Sequence, residues 1–257
     1  MNWYFYKVWI PLSILTLVCC ALAAFGVLTV NWYVVFTAWF LVGPVGMGVG
    51  FHRLFGHRQF ETWRPIELAL AVLGTLSLYA PLFFFASLHQ RHHRVSDLPE
   101  DPSSPAEYGF WESFLWYRMR ESIVDKVSVR NACAIRILKD KKLLFLSFNF
   151  TKIVWLYVIT VALIDVNLLL SMVLLPALIE HTRVNLISSL SHTKVPFSYR
   201  NYDTPDKSYN NFVFGLLSMG FGWHNNHHQD QQELVNHHRW WELDVEGLIG
   251  KLISKRV

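Results

Sequence analysis

IPLSILTLVCCALAAFGVLTV (10–30), Asn31 and WYVVFTAWFLVGPVGMGV (32–49) run together for forty residues without one charged side chain. About 20 apolar residues suffice to cross the roughly 30 Å hydrocarbon core of a bilayer as a helix. Two such blocks joined by a single polar residue predict a tight helical hairpin. A second pair, 143–164 and 166–186, meets at Asp165–Asn167 and predicts another. The whole chain agrees: 53% of its 257 residues are hydrophobic and only 16% are charged, too apolar for an ordinary soluble domain. The reading is an all-α integral membrane protein with four transmembrane helices in two hairpins, one domain over 1–257.

Both hairpin turns lack Lys and Arg, whereas almost all of the 23 basic residues gather in 51–64, 89–142 and the stretch after Arg183. Cytoplasmic loops carry such an excess, so 51–142 and 187–257 are expected to form a cytoplasmic helical cap. A fifth apolar stretch, 66–88, is expected to be a re-entrant or surface-lying pair of helices. A full span there would put the first two histidine motifs on opposite faces of the membrane. The first span lacks a small-residue cleavage site, which favours a retained helix over a signal peptide. Trp3, Tyr4, Trp32 and Tyr33 near span ends read as an interfacial belt. Gly43, Gly46, Gly48 and Gly50 read as close helix packing. The net charge of +4 suits an anionic lipid surface rather than nucleic acid. Cys19, Cys20 and Cys133 build neither a disulfide framework nor a CxxC knuckle.

Eight of the twelve histidines fall in three boxes: His52 and His57 in HRLFGH, His89, His92 and His93 in HQRHH, and His224, His227 and His228 in HNNHH. Imidazole is the usual donor for iron, copper, nickel and zinc, and eight donors exceed what one ion holds, so two metals in one pocket are predicted. In HxxHH the first and later histidines share one helix face. The adjacent pair diverges by ~100°, which lets one box serve two ions. His181, beside Glu180 and Arg183, reads as part of a local polar network, and His237 and His238 as a solvated turn.

The order of these boxes along the chain closely resembles the membrane-bound fatty acid desaturases of the acyl-CoA and acyl-lipid type, most of all the Δ9-type enzymes of bacteria and cyanobacteria. The resemblance extends to Asp97, Asp101, Gly109-Phe110-Trp111, the run Tyr199-Arg200-Asn201-Tyr202-Asp203, Asn210-Asn211 and Arg239-Trp240-Trp241-Glu242. It implies two iron ions and a ninth ligand, His192, at the end of SSLSH. It also implies roles behind the ligands for Asp97, Asp101, Asn225 and Ser188, the last standing where the family has asparagine. Phe221 replaces an acidic residue of the family pattern. Ser87 and Leu88 replace the Arg-Asp pair of animal acyl-CoA enzymes, which leans the substrate toward a lipid-linked chain, with CoA and acyl carrier protein open.

The implied reaction removes two vicinal hydrogens from a long acyl chain with O2 and two external electrons. Zinc is redox-inert and does not serve. The chain carries no flavin, nicotinamide or iron–sulfur fingerprint, so a ferredoxin, a rubredoxin or a b-type cytochrome is expected as donor, docking on the basic cap. The expected location is a membrane, the bacterial inner membrane ahead of the endoplasmic reticulum. An apolar tunnel ending at fixed depth would set the double-bond position. A related lipid hydroxylase and a non-catalytic membrane metal-binding protein remain alternatives.

Overall fold

The computed structural model describes residues 5–101, 103–116 and 134–255; Trp3, Tyr4 and Cys133 lie outside them. In chain order the helices are α1 (Tyr6–Ala24), α2 (Trp32–His57), α3 (Arg64–Leu76), α4 (Leu82–Arg94), the short α5 (Pro105–Tyr108) and α6 (Ile135–Lys139), α7 (Lys141–Phe148), α8 (Phe150–Ile164), α9 (Val166–Leu190), α10 (Phe212–Leu217), α11 (His224–Gln229) and α12 (Val245–Ile253). The strands β1 (Ser198–Tyr199) and β2 (Asn210–Asn211) pair antiparallel, with Ser198 opposite Asn211.

α1, α2 and α9, of 19, 26 and 25 residues, are long and apolar enough to cross a membrane. At 1.5 Å per residue they reach about 28 to 39 Å. The third expected span differs. It is broken at Asn149 into α7 and α8, bent by 67°, and counts as a fourth span only if the bent pair is taken as one. Asn149 marks the break: its side-chain N–H donates to the Phe145 carbonyl, which already accepts the main-chain i→i−4 bond, a local competition that disturbs the ladder. Leu17 and Leu163, 71% and 83% exposed, show that the outer faces of α1 and α8 are apolar and uncovered, as lipid-facing helices are.

The turns at Asn31 and at Asp165–Asn167 lie side by side. Asn31 caps α2 by accepting from the Tyr33 and Val34 amides, and Asp165 caps α9 by accepting from Asn167. The turns are joined by Thr29 N–H donating to Asn167 (2.8 Å) and Asn31 N–H donating to Ser171 Oγ (3.0 Å). Trp32 and Tyr33, 56% and 89% exposed, stand at this end. α2 and α9 start here together and deliver their C-termini, with His52, His57 and His192, to the opposite end.

The stretch 66–88 falls into α3 and α4, separated at Ser77–Pro81, where Leu78 takes a positive φ of 62°. Each has 13 residues, about 20 Å, and is too short to span. α3 lies tightly on α2: a Cβ on Gly46 would come within 2.6 Å of the Gly74 nitrogen. The glycines of α2 therefore serve close packing, and a Cβ on Gly48 would meet the Glu246 carboxylate at 2.1 Å.

α12 is tied to the spans by a buried ionic network. Arg53, 0% exposed, donates to Glu246 (2.7 Å) and to both oxygens of Asp244 (2.8 Å). Arg183 of α9 donates to Glu246 (2.6 Å) and to Glu180, which also accepts from the Trp39 indole. Burial pushes Glu246 up to about 7, against the opposing pull of Arg183 and Arg53.

Candidate metal centre

From Leu41 to His57, α2 hydrogen-bonds in the wider i→i+5 pattern of a π-helix. Residues five apart then lie closer to one face, whereas on an α-helix they would diverge by roughly 140°. His52 and His57 are five apart, and their rings meet edge-on at 4.9 Å. Pro44, which lacks an N–H, sits early in this segment and is compatible with a disturbed α ladder. In the sequence this geometry shows as the HxxxxH spacing, which fits no single face of an α-helix.

The second box ends α4 and the third forms α11. Together with the first they gather into two groups, in each of which one nitrogen per ring lies within 4.8 Å of all the others: His52, His57, His89, His93 and His227; and His92, His192, His224 and His228. The adjacent pairs split between the groups as the helical divergence predicted. His192, just beyond α9, joins the second group with its Nε2 3.0 Å from that of His224. All nine histidines suggested by the sequence are thus brought together. His237 and His238 are exposed elsewhere, and His181 packs against Tyr79 at 5.2 Å, outside both groups.

The donor chemistry fits metal ions. In the five-histidine group His227 Nε2 lies 3.1, 3.0 and 3.1 Å from the Nε2 atoms of His52, His57 and His93. One imidazole cannot satisfy three others, whereas lone pairs aimed at a common cation are all satisfied. His52, His93, His224 and His227 Nδ1 and His228 Nε2 are also buried with no hydrogen-bond partner among the described residues. Buried orphans of this density call for an ion or ordered water.

Three carboxylates stand behind the four-histidine group. His92 Nδ1 donates to Asp101 (2.8 Å), His192 Nδ1 to Asp97 (2.8 Å) and His228 Nδ1 to Asp206 (2.7 Å). Each bond fixes the tautomer that leaves Nε2 free as a ligand. Asp97 and Asp101 were suggested by the sequence, but Asp206 was missed because no helical spacing links positions 206 and 228. The Asn225 side chain hydrogen-bonds to the 201–208 loop rather than to a histidine. Its Oδ1 accepts from the Asn201 and Tyr202 amides at 2.9 Å, and its Nδ2 donates to the Tyr202 carbonyl. It shapes the loop that carries Asp206. Ser188 donates to the Val184 carbonyl and lines a small cavity beside the histidines. Phe221 packs on His52 at 4.7 Å and under Arg183 at 5.0 Å, so an apolar ring separates the ionic network from the site.

Burial works to raise Asp206 and Asp97, but their hydrogen bonds from His228 and His192 hold both well below the usual carboxylate range. For His92, burial disfavours the charged form and Asp101 outweighs it, raising the group. Burial, helped by neighbouring imidazoles, drives His89, His93, His224 and His227 well below their ordinary value. Burial likewise takes His228 down to about 4 against the pull of Asp206. These imidazoles stay neutral at pH 7, as ligands must.

Two expected results follow from these contacts. Asp206→Asn keeps an acceptor for His228 but removes the charge, and it should weaken metal binding about 10- to 100-fold in competition with a chelator. Unchanged affinity would count against the role of Asp206. As pH falls below about 6.5 the unfolded chain takes up protons on histidine that the folded groups refuse until about pH 4 for His228, so stability is lost on acidification. Metal-free protein in detergent should melt several degrees lower at pH 5 than at pH 7.5. A flat profile would contradict the burial argument.

Two cavities flank the helices that carry the groups. One of about 40 Å³, with Phe84, Phe85, Leu88, Ser188 and Phe221 in its wall, is lined by His89, His92 and His224. Another of about 330 Å³ lies between α1 and α9, with Leu12, Cys20, Leu174 and Ala177 among its lining residues. Tyr79 lines the first and Asn185 the second, and the Tyr79 hydroxyl donates to Asn185 Oδ1 at 2.9 Å. A separate polar recess of about 340 Å³ is lined by His57, Arg58 and Arg94.

A fatty acid desaturase family model matches residues 30–244, covering all nine histidines. The chain belongs to the fatty acid desaturase family. It is 30% identical to the sn-1 stearoyl-lipid 9-desaturase of Synechocystis sp., over 85% of this chain and 67% of that one. It is also 30% identical to the sn-1 stearoyl-lipid 9-desaturase of Anabaena variabilis, over 91% and 85% respectively. The acyl-CoA C20 Delta5-desaturase of Anemone leveillei is 28% identical over 91% of this chain and 75% of that relative. Within this desaturase family the relatives thus differ in acyl carrier and in the position they act on.

Proposed function

We propose that this family member inserts a cis double bond, at the Δ9 position, into a long saturated acyl chain. The observation that carries the reading is the apposition of two histidine groups to an apolar cavity, with His89, His92 and His224 in its wall. In overall balance, a –CH2–CH2– unit, O2, two electrons and two protons give –CH=CH– and two waters. Two irons held by the nine histidines would supply the oxidising power that unactivated C–H bonds demand. The protein holds the imidazoles neutral and convergent, and it keeps the reacting stretch of chain among Phe84, Phe85 and Phe221 away from water.

The 40 Å³ cavity is far too small for a whole acyl chain, so the methyl end is assigned to the larger cavity beyond the Tyr79–Asn185 bond. Ser87 and Leu88 in place of the Arg-Asp pair of animal acyl-CoA enzymes, and the stearoyl-lipid relatives, support a lipid-linked substrate. The four-span arrangement in two hairpins, one of them bent, is supported by the adjoining turns at Asn31 and Asp165. The basic segments on the histidine side favour a cytoplasmic cap in a bacterial inner membrane. Electrons would come from a ferredoxin, rubredoxin or b-type cytochrome.

Expression in a host with saturated lipids, followed by gas chromatography and mass spectrometry of the fatty acids, tests the reading. A new cis-9 alkene is the expected product. Hydroxy acids without alkenes would make the protein a hydroxylase, and no product in iron-loaded membranes supplied with a donor would favour a metal-binding role alone.

A further inference from the structure

The two histidine groups differ in what surrounds them. Among the described residues, the three carboxylates that accept from an imidazole Nδ1, Asp97, Asp101 and Asp206, all belong to the four-histidine group. Among the described residues the five-histidine group has none, and His52, His93 and His227 Nδ1 have no hydrogen-bond partner. The cations are distributed the other way. Arg53, next to His52, is neutralised by Asp244 and Glu246, whereas Arg58 and Arg94 line the same recess as His57. Arg58 and Arg94 make no ion pair among the described residues.

A carboxylate behind an imidazole raises the basicity of the ligand and adds a negative charge one ring away from the ion. Three of them favour the more highly charged state of a metal, and nearby cations favour the less charged state. We propose that the two metal sites are electronically inequivalent: the four-histidine site takes the ferric charge first, and the five-histidine site, facing the basic recess, holds the ferrous ion longest. Asp97, Asp101 and Asp206 are then positioning residues that set this order. The inference rests on the reading that the protein binds two irons.

The test uses full-length protein reconstituted anaerobically with 57Fe and examined by Mössbauer spectroscopy. The diferrous protein should show two quadrupole doublets. One equivalent of ferricenium, taking one electron and becoming ferrocene, should convert one doublet to a ferric signal and leave the other. In Asp206→Asn and Asp101→Asn the preference for ferric iron at that site should fall about tenfold, moving the first one-electron midpoint about 60 mV positive while the second stays in place. Asp206→Glu should restore the first midpoint.

Conversion of both doublets together, or equal movement of both midpoints in the two variants, would overturn the proposal. So would a shift of the second midpoint alone. Two bound irons and alkene product accompanied by any of these results would leave the proposed function standing and remove only the inequivalence. Failure to bind iron would remove both.

Discussion

A His227→Ala protein is expected to insert and fold yet produce no desaturated lipid. Its Nε2 lies within 3.1 Å of three other ligand nitrogens, so its loss opens the centre of the five-histidine group rather than an edge. Removing a residue behind a ligand already costs about 10- to 100-fold in metal affinity, and removing a central ligand should exceed that. His92→Ala should act likewise on the other group, since its Nδ1 is already engaged by Asp101 and its Nε2 is the free donor. Iron content per protein, read beside fatty acid analysis, checks the assignment. Wild-type activity in either variant would refute it.

The largest loss of stability is expected from Arg53→Met. Arg53 is wholly buried and compensates both Asp244 and Glu246, themselves 1% and 0% exposed. Taking away one partner of a buried ion pair leaves an uncompensated charge and costs about 3–5 kcal/mol. At about 2–4 °C per kcal/mol for a chain of this size, the melting temperature should fall by about 10 °C. The double change Arg53→Met with Glu246→Gln should recover part of the loss. A melting curve unchanged by Arg53→Met would show that α12 is held by packing alone.

The membrane helices α1, α2 and α9 were legible because a long uncharged apolar run has no other stable fate in this composition. The break at Asn149 was not. A single asparagine barely alters an apolar window, and its effect comes from a local hydrogen bond to Phe145. The division of 66–88 into two short helices could be argued only from the need to bring the first two boxes together.

Within the site, the HxxHH boxes exposed their geometry through helical spacing, including the split of His92 from His93 and of His227 from His228. His192 needed the resemblance, because nothing in SSLSH marks a ligand. Asp206 and the true task of Asn225 were hidden for one reason: both depend on how the loop of residues 200–208 folds back over α11.

The π-helical stretch of α2 also bears on attempts to transplant this chemistry. His52 and His57 of HRLFGH face one another on a backbone that hydrogen-bonds five residues apart. Grafted onto a designed α-helical scaffold, the same six letters would aim one imidazole at the metal and turn the other aside. The motif is therefore not a portable module; its meaning is conferred by the coil that carries it, and any borrowed version must import that winding as well.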